Sequence, residues 1–496
     1  MIPYFTLASG SLLSYLFYLS PEVPIYAGDV IVVDDNVRNL CFFAKITEIE
    51  SAKEGMPVPP CTVQATAYPL GFVDEKMQFH PPKTTPTVGS PIRYPTSHDL
   101  TFLTHAMGEI EIGKMRSGTG VLETVTTSLH AKALTQHMGV FGTTGMGKSN
   151  FMKVFAASVM RSQAFGFLLV DSHGEYVTGL RTVDGNANYG LLHYKKKRAN
   201  LSIFSVRSDE AIVRNNLHRL SLSYHDFLAT DLGLMYPLST AQQEITFALL
   251  PYSGEDIIDF FLNEEVESLP SSLKTTAYLG NHPHMVHRLR SFDPNALRII
   301  QRHIEGMMKR CQLFMTKDRS SIQDIIHDLF QKKVVLIDIP QISEQGEMLI
   351  VAVITRAIMS ACKKRAIEGL DRSQVLIALE EAQRVLSEHA MEDQIFREVI
   401  MEGRKFGVGL CAITQQPKNI DPYLLSQMNT SVIMGLSDQH DRQTMARSAK
   451  QDLSRMMIEI QTLDRGDAII STLGIPFPIS TKIHHYESYI EKLNKE

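Results

Sequence analysis

With 496 residues the chain is too long for one ordinary domain, and 44% hydrophobic with 21% charged residues is the balance of folded globular domains rather than of a disordered or fibrous chain. A formal net charge of −5 excludes a global attraction to nucleic acid, so any such contact must come from a local basic patch or the lining of an assembled channel. The five cysteines, Cys41, Cys61, Cys311, Cys362 and Cys411, are scattered without a C-x-x-C pair, which suits a reducing compartment and argues against a disulfide framework or a zinc site.

The first apolar stretch, Phe5–Leu19, has no Lys or Arg before it, since the first is Arg38, so the basic region of a signal peptide is missing. It is also short for a membrane span. It reads as strands of a buried sheet, in a cytoplasmic protein with no membrane partner. Runs such as DVIVVDD and CFFAKITEI, separated by Ala27-Gly28-Asp29 and Asp35-Asn36 and followed by Pro59-Pro60 and Pro81-Pro82, predict a small antiparallel barrel. Residues 84–105 read as a linker, which closes a first domain at 1–105.

A first part of a second domain covers 106–207. Glu109–Gly113 and Gly120–Val125 have short strand character and lead to a buried strand ending in Val140 and Phe141. Gly142 to Ser149 then fit G-x-x-x-x-G-K-S/T, and FMKVFAASVM has helical apolar spacing. Strand, glycine loop and helix are what a phosphate-binding loop requires. Backbone N–H groups turn toward phosphates where glycines allow it, and the helix N-terminus adds partial positive charge. Gly142, Thr143, Thr144, Gly145, Met146, Gly147, Lys148, Ser149 and Asn150 are therefore the candidate nucleotide-binding residues. Lys148 is expected to reach the β- and γ-phosphates and the Ser149 hydroxyl to ligate Mg²⁺.

Phe165–Asp171 is a continuous apolar run ending in an acid, the pattern of a central parallel strand with a polar residue at its carboxyl edge. Two readings stand for Asp171 with Glu175. Glu175 orders a nucleophilic water or links nucleotide state to movement, or Asp171 merely stabilises a turn by accepting from backbone N–H groups. Lys195, Lys196, Lys197 and Arg198 are the strongest local positive charge, either a contact for a phosphate backbone or a solvated hairpin tip. Residues 208–330 read as a helical insertion, in which Ile300, Ile304, Met307, Met308 and Cys311 share a face. His282, His284 and His287 have no cysteine pattern beside them and are taken as loop and helix-start residues.

Residues 331–496 return to buried strands alternating with helices: Val334–Ile339, a helix Glu347–Glu368, Val375–Leu379, Val408–Ile413, Thr430–Met434 and Asp467–Ile470. That alternation means a doubly wound, mostly parallel α/β sheet interrupted by the insertion. Ligands bind such sheets at the carboxyl edge, where three features fall. Glu380 is assigned to the metal and Glu381 to the attacking water. Thr414-Gln415 is either a γ-phosphate sensor or a strand-end cap. Arg404, in EGRKFG, either reaches a neighbouring subunit's γ-phosphate or is an ordinary surface cation.

Taken together, GVFGTTGMGKSN, LLVDSHGEY, LIALEEAQ, EGRKFGVGLCAITQQP and DPYLLSQMNTSVIMGL resemble, in order, the HerA ATPases of the HerA/FtsK superfamily, from about residue 107 to LDRGDAIIST and IPFPISTKI. The resemblance implies a RecA-like P-loop ATPase core behind a small HAS-barrel-like domain. It implies a homohexameric ring that hydrolyses ATP with Mg²⁺ and drives double-stranded DNA through its channel, in DNA end processing with a NurA-like nuclease or in anti-phage defence with another effector. By motif position, Lys148 and Ser149 would hold the phosphates and Mg²⁺, Glu380 the metal, Glu381 the water, Gln415 the sensor role, and Arg404 the finger acting in trans. Three positions depart from the pattern: Gln416 where Arg often follows the sensor, Gln136 where Arg can precede His137, and Gln383 where His is common. The rival reading is an ATP-binding ring scaffold that assembles and switches an effector with little translocation. A secretion or conjugation motor is a third, against which the missing membrane anchor counts.

Overall fold

Aromatic and β-branched residues in the first hundred positions sort into strands by what each face must bury. The computed structural model describes residues 6–20, 22–51, 63–179, 188–263, 282–388 and 395–496. Of the sequence features above, Phe5, Pro59, Pro60 and Cys61 lie outside those residues. Two compact units form, neither a single stretch: residues 1–164, 194–196 and 378–496 in the first, and 165–193 with 197–377 in the second.

In the first unit Leu7–Gly10, Tyr15–Leu19, Val63–Val73, Leu40–Ser51, Val30–Asp35 and Ile92–Arg93 lie side by side, all antiparallel. The edges of this sheet meet. Thr6 bridges Pro91, and the Leu7 N–H donates to Ser90 O at 2.9 Å. Within the strand Val30–Asp35, Val30 to Val33 read as continuously apolar because both faces there are covered. Ile31 and Val33 pack with Phe17, Phe42 and Ala65 on one side, and Val30 and Val32 pack with Phe43, Leu103 and Ile479 on the other. The predicted linker is ordered instead. Ile92–Arg93 is a strand, Thr101–His105 a helix, and Leu100 and Leu103 are buried. The Arg93 guanidinium, 2.6 Å from both Asp34 and Asp99, ties the segment down.

The other sheet strands of this unit run Val408–Thr414, Met138–Phe141, Thr430–Ile433, Asp467–Thr472, Ile479–Ile483, Ile110–Ser117, Gly120–Leu129. The first three are parallel and every later pair is antiparallel. The sheet is therefore mixed, and Asp467–Thr472 does not continue the parallel series as expected. A wholly buried strand carries no sequence mark of its direction.

In the second unit Gly166–Asp171 lies between Val334–Asp338 and the start of Val375–Leu379, with Leu201–Ser205 and then His218–Arg219 beyond Val334–Asp338, all parallel. Helices carry most of the described residues within 208–330, with Leu222–Ser223 and Met315–Thr316 pairing as a short exception. Pro283 opens a helix at its first turn, where a missing N–H costs nothing. In Pro294–Cys311, Ile300, Ile304, Met307 and Cys311 are buried on one face and Met308 half-buried beside them. The long helix is Glu344–Ile367, starting three residues before its expected position because Ser343 caps it by accepting from Gly346 N–H at 3.2 Å. Its length and apolarity would let it cross a membrane, but 61% of its most apolar window is buried inside the protein. Cys41, Cys311, Cys362 and Cys411 carry free thiols.

Candidate nucleotide site

The strand Met138–Phe141 is buried along its whole length between two parallel neighbours, so its end is held rigidly. Gly142 must leave that strand beside Met434, whose Cβ would lie 2.8 Å from a Cβ added there. The loop closes at Gly147, whose φ of +106° is left-handed, and the helix Lys148–Ser162 begins at once. Thr143 anchors the loop by donating both its N–H and its hydroxyl to Gly435 O at 3.0 Å. The Lys148 ammonium donates to Gly142 O at 2.7 Å and Thr143 O at 3.2 Å. Burial draws its pKa below the ordinary lysine value, and the carboxylates of Glu380 and Glu381 oppose that shift. Ser149 is half-buried at the helix start. The Asn150 side chain is engaged away from the loop, donating to His484 O at 2.8 Å and accepting from Tyr486 N–H at 2.9 Å.

Glu380 and Glu381 follow the buried strand Val375–Leu379, and both are half-buried. Glu381 has φ of +47°, a left-handed backbone that costs a non-glycine residue about 1 kcal/mol or more and concentrates at working sites. Its carboxylate accepts from Gln383 Nε2 at 2.5 Å and from Gln415 Nε2 at 3.3 Å. Gln415 in turn accepts from the Thr144 hydroxyl of the phosphate loop at 2.5 Å. Gln383 accepts from the Thr414 hydroxyl at 2.5 Å. The structure brings Thr144, Lys148, Glu380, Glu381 and Gln415 together. It adds Gln383, which the sequence left without a role, and ties it to Thr414, named from sequence only together with Gln415.

Arg404 follows a π-helical turn, Val399–Gly403, and sits in the short helix Arg404–Phe406, which Gly407 ends at φ of +79°. It is exposed, and among the described residues its side chain makes no hydrogen bond or ion pair within the chain. Burial, with the charge of Arg404 added, pushes the pKa of His137 down to about 4. That ring is neutral and accepts from Leu410 N–H at Nδ1, 3.1 Å away.

In the second unit Asp171 makes the turn that sequence allowed. Its carboxylate accepts from the N–H groups of Gly174, Glu175 and Tyr176 at 2.7, 3.0 and 2.8 Å. Burial, and secondarily Asp338, pushes its pKa up to about 6 against those three bonds. Glu175 is half-buried on the same turn. Asp338 stands beside Asp171 in register and is held by Arg207 through Nε at 2.7 Å and Nη2 at 3.0 Å. Arg207 carries no motif of its own; the signal in the sequence was a second buried strand, VVLID, ending in aspartate like LLVD.

The basic run is no hairpin tip. Lys195–Asn200 is a 3₁₀ segment kinked at Lys197, ahead of the buried strand Leu201–Ser205. The Arg198 guanidinium donates to Leu201 O at 2.5 Å and Asn216 O at 3.0 Å, and burial lowers its pKa. Lys195 and Lys196 are exposed.

Residues 110–358 match the model of the helicase HerA central domain. The chain is similar to the DNA double-strand break repair helicase HerA of Sulfolobus acidocaldarius, 24% identical with 93% of this chain and 85% of the relative covered. It is as similar to that of Saccharolobus solfataricus, 24% identical with 94% and 89% covered. Among solved structures it is similar to the bacterial conjugative coupling protein TrwB, at 13% identity and a TM-score of 0.49 over 79% of this chain and 92% of that one. A phosphate loop with a lysine and two carboxylates around it, inside a chain that matches this family over half its length, identifies a member of the HerA family and an ATP-hydrolysing enzyme.

Proposed function

We propose that this protein is an ATP-driven translocase of double-stranded DNA, working as a closed hexameric ring with a nuclease or another effector as partner, in the cytoplasm. The observation that carries the reading is the convergence of phosphate loop and strand-end acids. Thr144 is joined through Gln415 to Glu381, and the Lys148 ammonium lies within the field of both carboxylates. The relatives named as DNA double-strand break repair helicases supply the class of substrate.

In this reading Lys148 leaves the loop carbonyls for the β- and γ-phosphate oxygens and stabilises their growing charge. A hydroxyl from Ser149 and a carboxylate from Glu380 are the hard oxygen donors that Mg²⁺ takes, and bound Mg²⁺ would neutralise phosphate charge there. Glu381 orients the attacking water and draws on its proton. Gln415 senses the γ-phosphate, while exposed Arg404 completes the site of the next subunit. Glu175, on the Asp171 turn, couples nucleotide state to movement, and Lys195 and Lys196 contact the DNA backbone. We read the curled N-terminal sheet as the small barrel of 1–105, preceding a RecA-like core at 106–207 and 331–496 that the helices of 208–330 interrupt.

ATPase rates with and without duplex DNA test the motor. Stimulation by duplex is expected. A rate indifferent to DNA, with ATP still bound and an effector retained, would leave an ATP-binding scaffold.

A further inference from the structure

Glu381 sits at the meeting point of two relays with the same polarity. On one side the Thr144 hydroxyl donates to the Gln415 carbonyl, whose amide N–H donates to Glu381 Oε1 at 3.3 Å. On the other the Thr414 hydroxyl donates to the Gln383 carbonyl, whose amide N–H donates to Glu381 Oε2 at 2.5 Å. The second relay is fixed by chemistry. A carboxylate can only accept, so the Gln383 amide must turn its NH₂ group to Glu381 and its carbonyl to Thr414. That carbonyl can only accept in turn, so the Thr414 hydroxyl donates to it, while Thr414 Oγ1 also accepts from the Gln416 N–H at 3.0 Å. Thr414 is 1% exposed at the end of a buried strand, so the anchor does not move with solvent.

The two arms differ in strength. The Gln383 amide is in close hydrogen-bond contact with the carboxylate, whereas the 3.3 Å arm from Gln415 is at the weak end of the range. From this geometry we infer that Gln383, oriented by Thr414, is a positioning residue that fixes the Glu381 carboxylate for water activation, while the longer Gln415 arm is the one that yields to the nucleotide. The strained backbone at Glu381 makes such an anchor necessary, since a φ of +47° persists only where surrounding bonds hold it. A carboxylate has about four acceptor sites, so the Gln383 bond leaves room for a water on either oxygen. The inference rests on the reading of Glu381 as the water-orienting residue.

Gln383→Met keeps the side-chain length and removes the amide. With Tm unchanged, kcat for ATP hydrolysis should fall about 10-fold or more while KM for ATP stays at the wild-type value. Gln383→His, which restores an N–H donor, should recover most of that loss. Thr414→Val should lower kcat in the wild-type background and add nothing in the Gln383→Met background, because Thr414 acts through Gln383. Should Gln383→Met lower Tm, Thr414→Val against Thr414→Ser reads the same relay in kcat. Wild-type kcat in Gln383→Met, or a change confined to KM, overturns the inference. Glu381→Gln is run beside them. If it turns over ATP at the wild-type rate, the assignment of Glu381 has failed, whereas an inactive Glu381→Gln with a fully active Gln383→Met means that the positioning role alone has failed.

Discussion

The Thr144 hydroxyl donates to Gln415 Oε1 at 2.5 Å, which joins the tip of the phosphate loop to the end of a strand 271 residues further along the chain. A nucleotide that moves this loop therefore moves the amide that touches Glu381. Thr144→Val should reduce kcat by severalfold, and Thr144→Ser, which keeps the hydroxyl, should restore it. Steady-state hydrolysis of the two variants checks this.

Lys148→Ala should abolish hydrolysis by removing positive charge at the β/γ-phosphates. Glu381→Gln should bind ATP and fail to turn it over, and Glu380→Gln should raise the Mg²⁺ concentration needed for activity. Equilibrium nucleotide binding beside a Mg²⁺ titration of the rate separates the two carboxylates. A Mg²⁺ requirement shifted by Glu381→Gln instead would exchange their roles.

Arg404 is exposed and has no partner within the chain among the described residues, so it should act on a neighbour's ATP. Arg404→Ala and Glu381→Gln should each be nearly inactive. In mixed rings roughly a quarter of sites combine an intact Glu381 with an intact Arg404 from next door, by counting arrangements around a heterologous ring. Single-turnover hydrolysis should therefore recover in part, once mass analysis has shown that mixed rings form. An Arg404 acting within its own chain would give no recovery.

His137 has its pKa lowered from 6.5 to about 4 by burial and by Arg404, so the folded chain holds fewer protons than the unfolded one between those values. Its contribution to stability is complete above pH 6.5 and is lost as pH falls toward 4, on the order of 3 kcal/mol across the window. Asp171, raised from 3.8 to about 6, has the opposite sign, because stability is lost as pH rises through that range. The two windows overlap and largely offset each other, so in urea unfolding from pH 4 to 7 His137→Gln should lose stability more steeply than the parent as pH rises, and Asp171→Asn should gain it more steeply.

Lys195→Ser with Lys196→Ser should flatten the salt dependence of duplex binding, by about 1.8 in log–log slope if both lysines touch phosphate. Arg198→Ser should instead lower Tm, since its guanidinium holds the carbonyls of Leu201 and Asn216. A slope unchanged by the lysine pair would remove the run from the DNA path.

What could be read directly was whatever lies within one strand, loop and helix. Gly142 to Ser149 are consecutive, so their spacing alone carries the geometry of the phosphate loop, and Glu380-Glu381 follow an apolar run that can only be a buried strand. For the basic run only the hairpin-tip reading failed, because charge in sequence does not say whether a guanidinium meets water or a backbone carbonyl. The direction of Asp467–Thr472 was equally hidden, since an all-buried strand looks the same from either end. Gln383 had no assigned chemistry until the fold turned the backbone at Glu381 to φ of +47° and set Thr414, 31 residues away, against its amide. Which side chains meet at that distance is decided by the packing of whole strands, and only the folded chain contains that information.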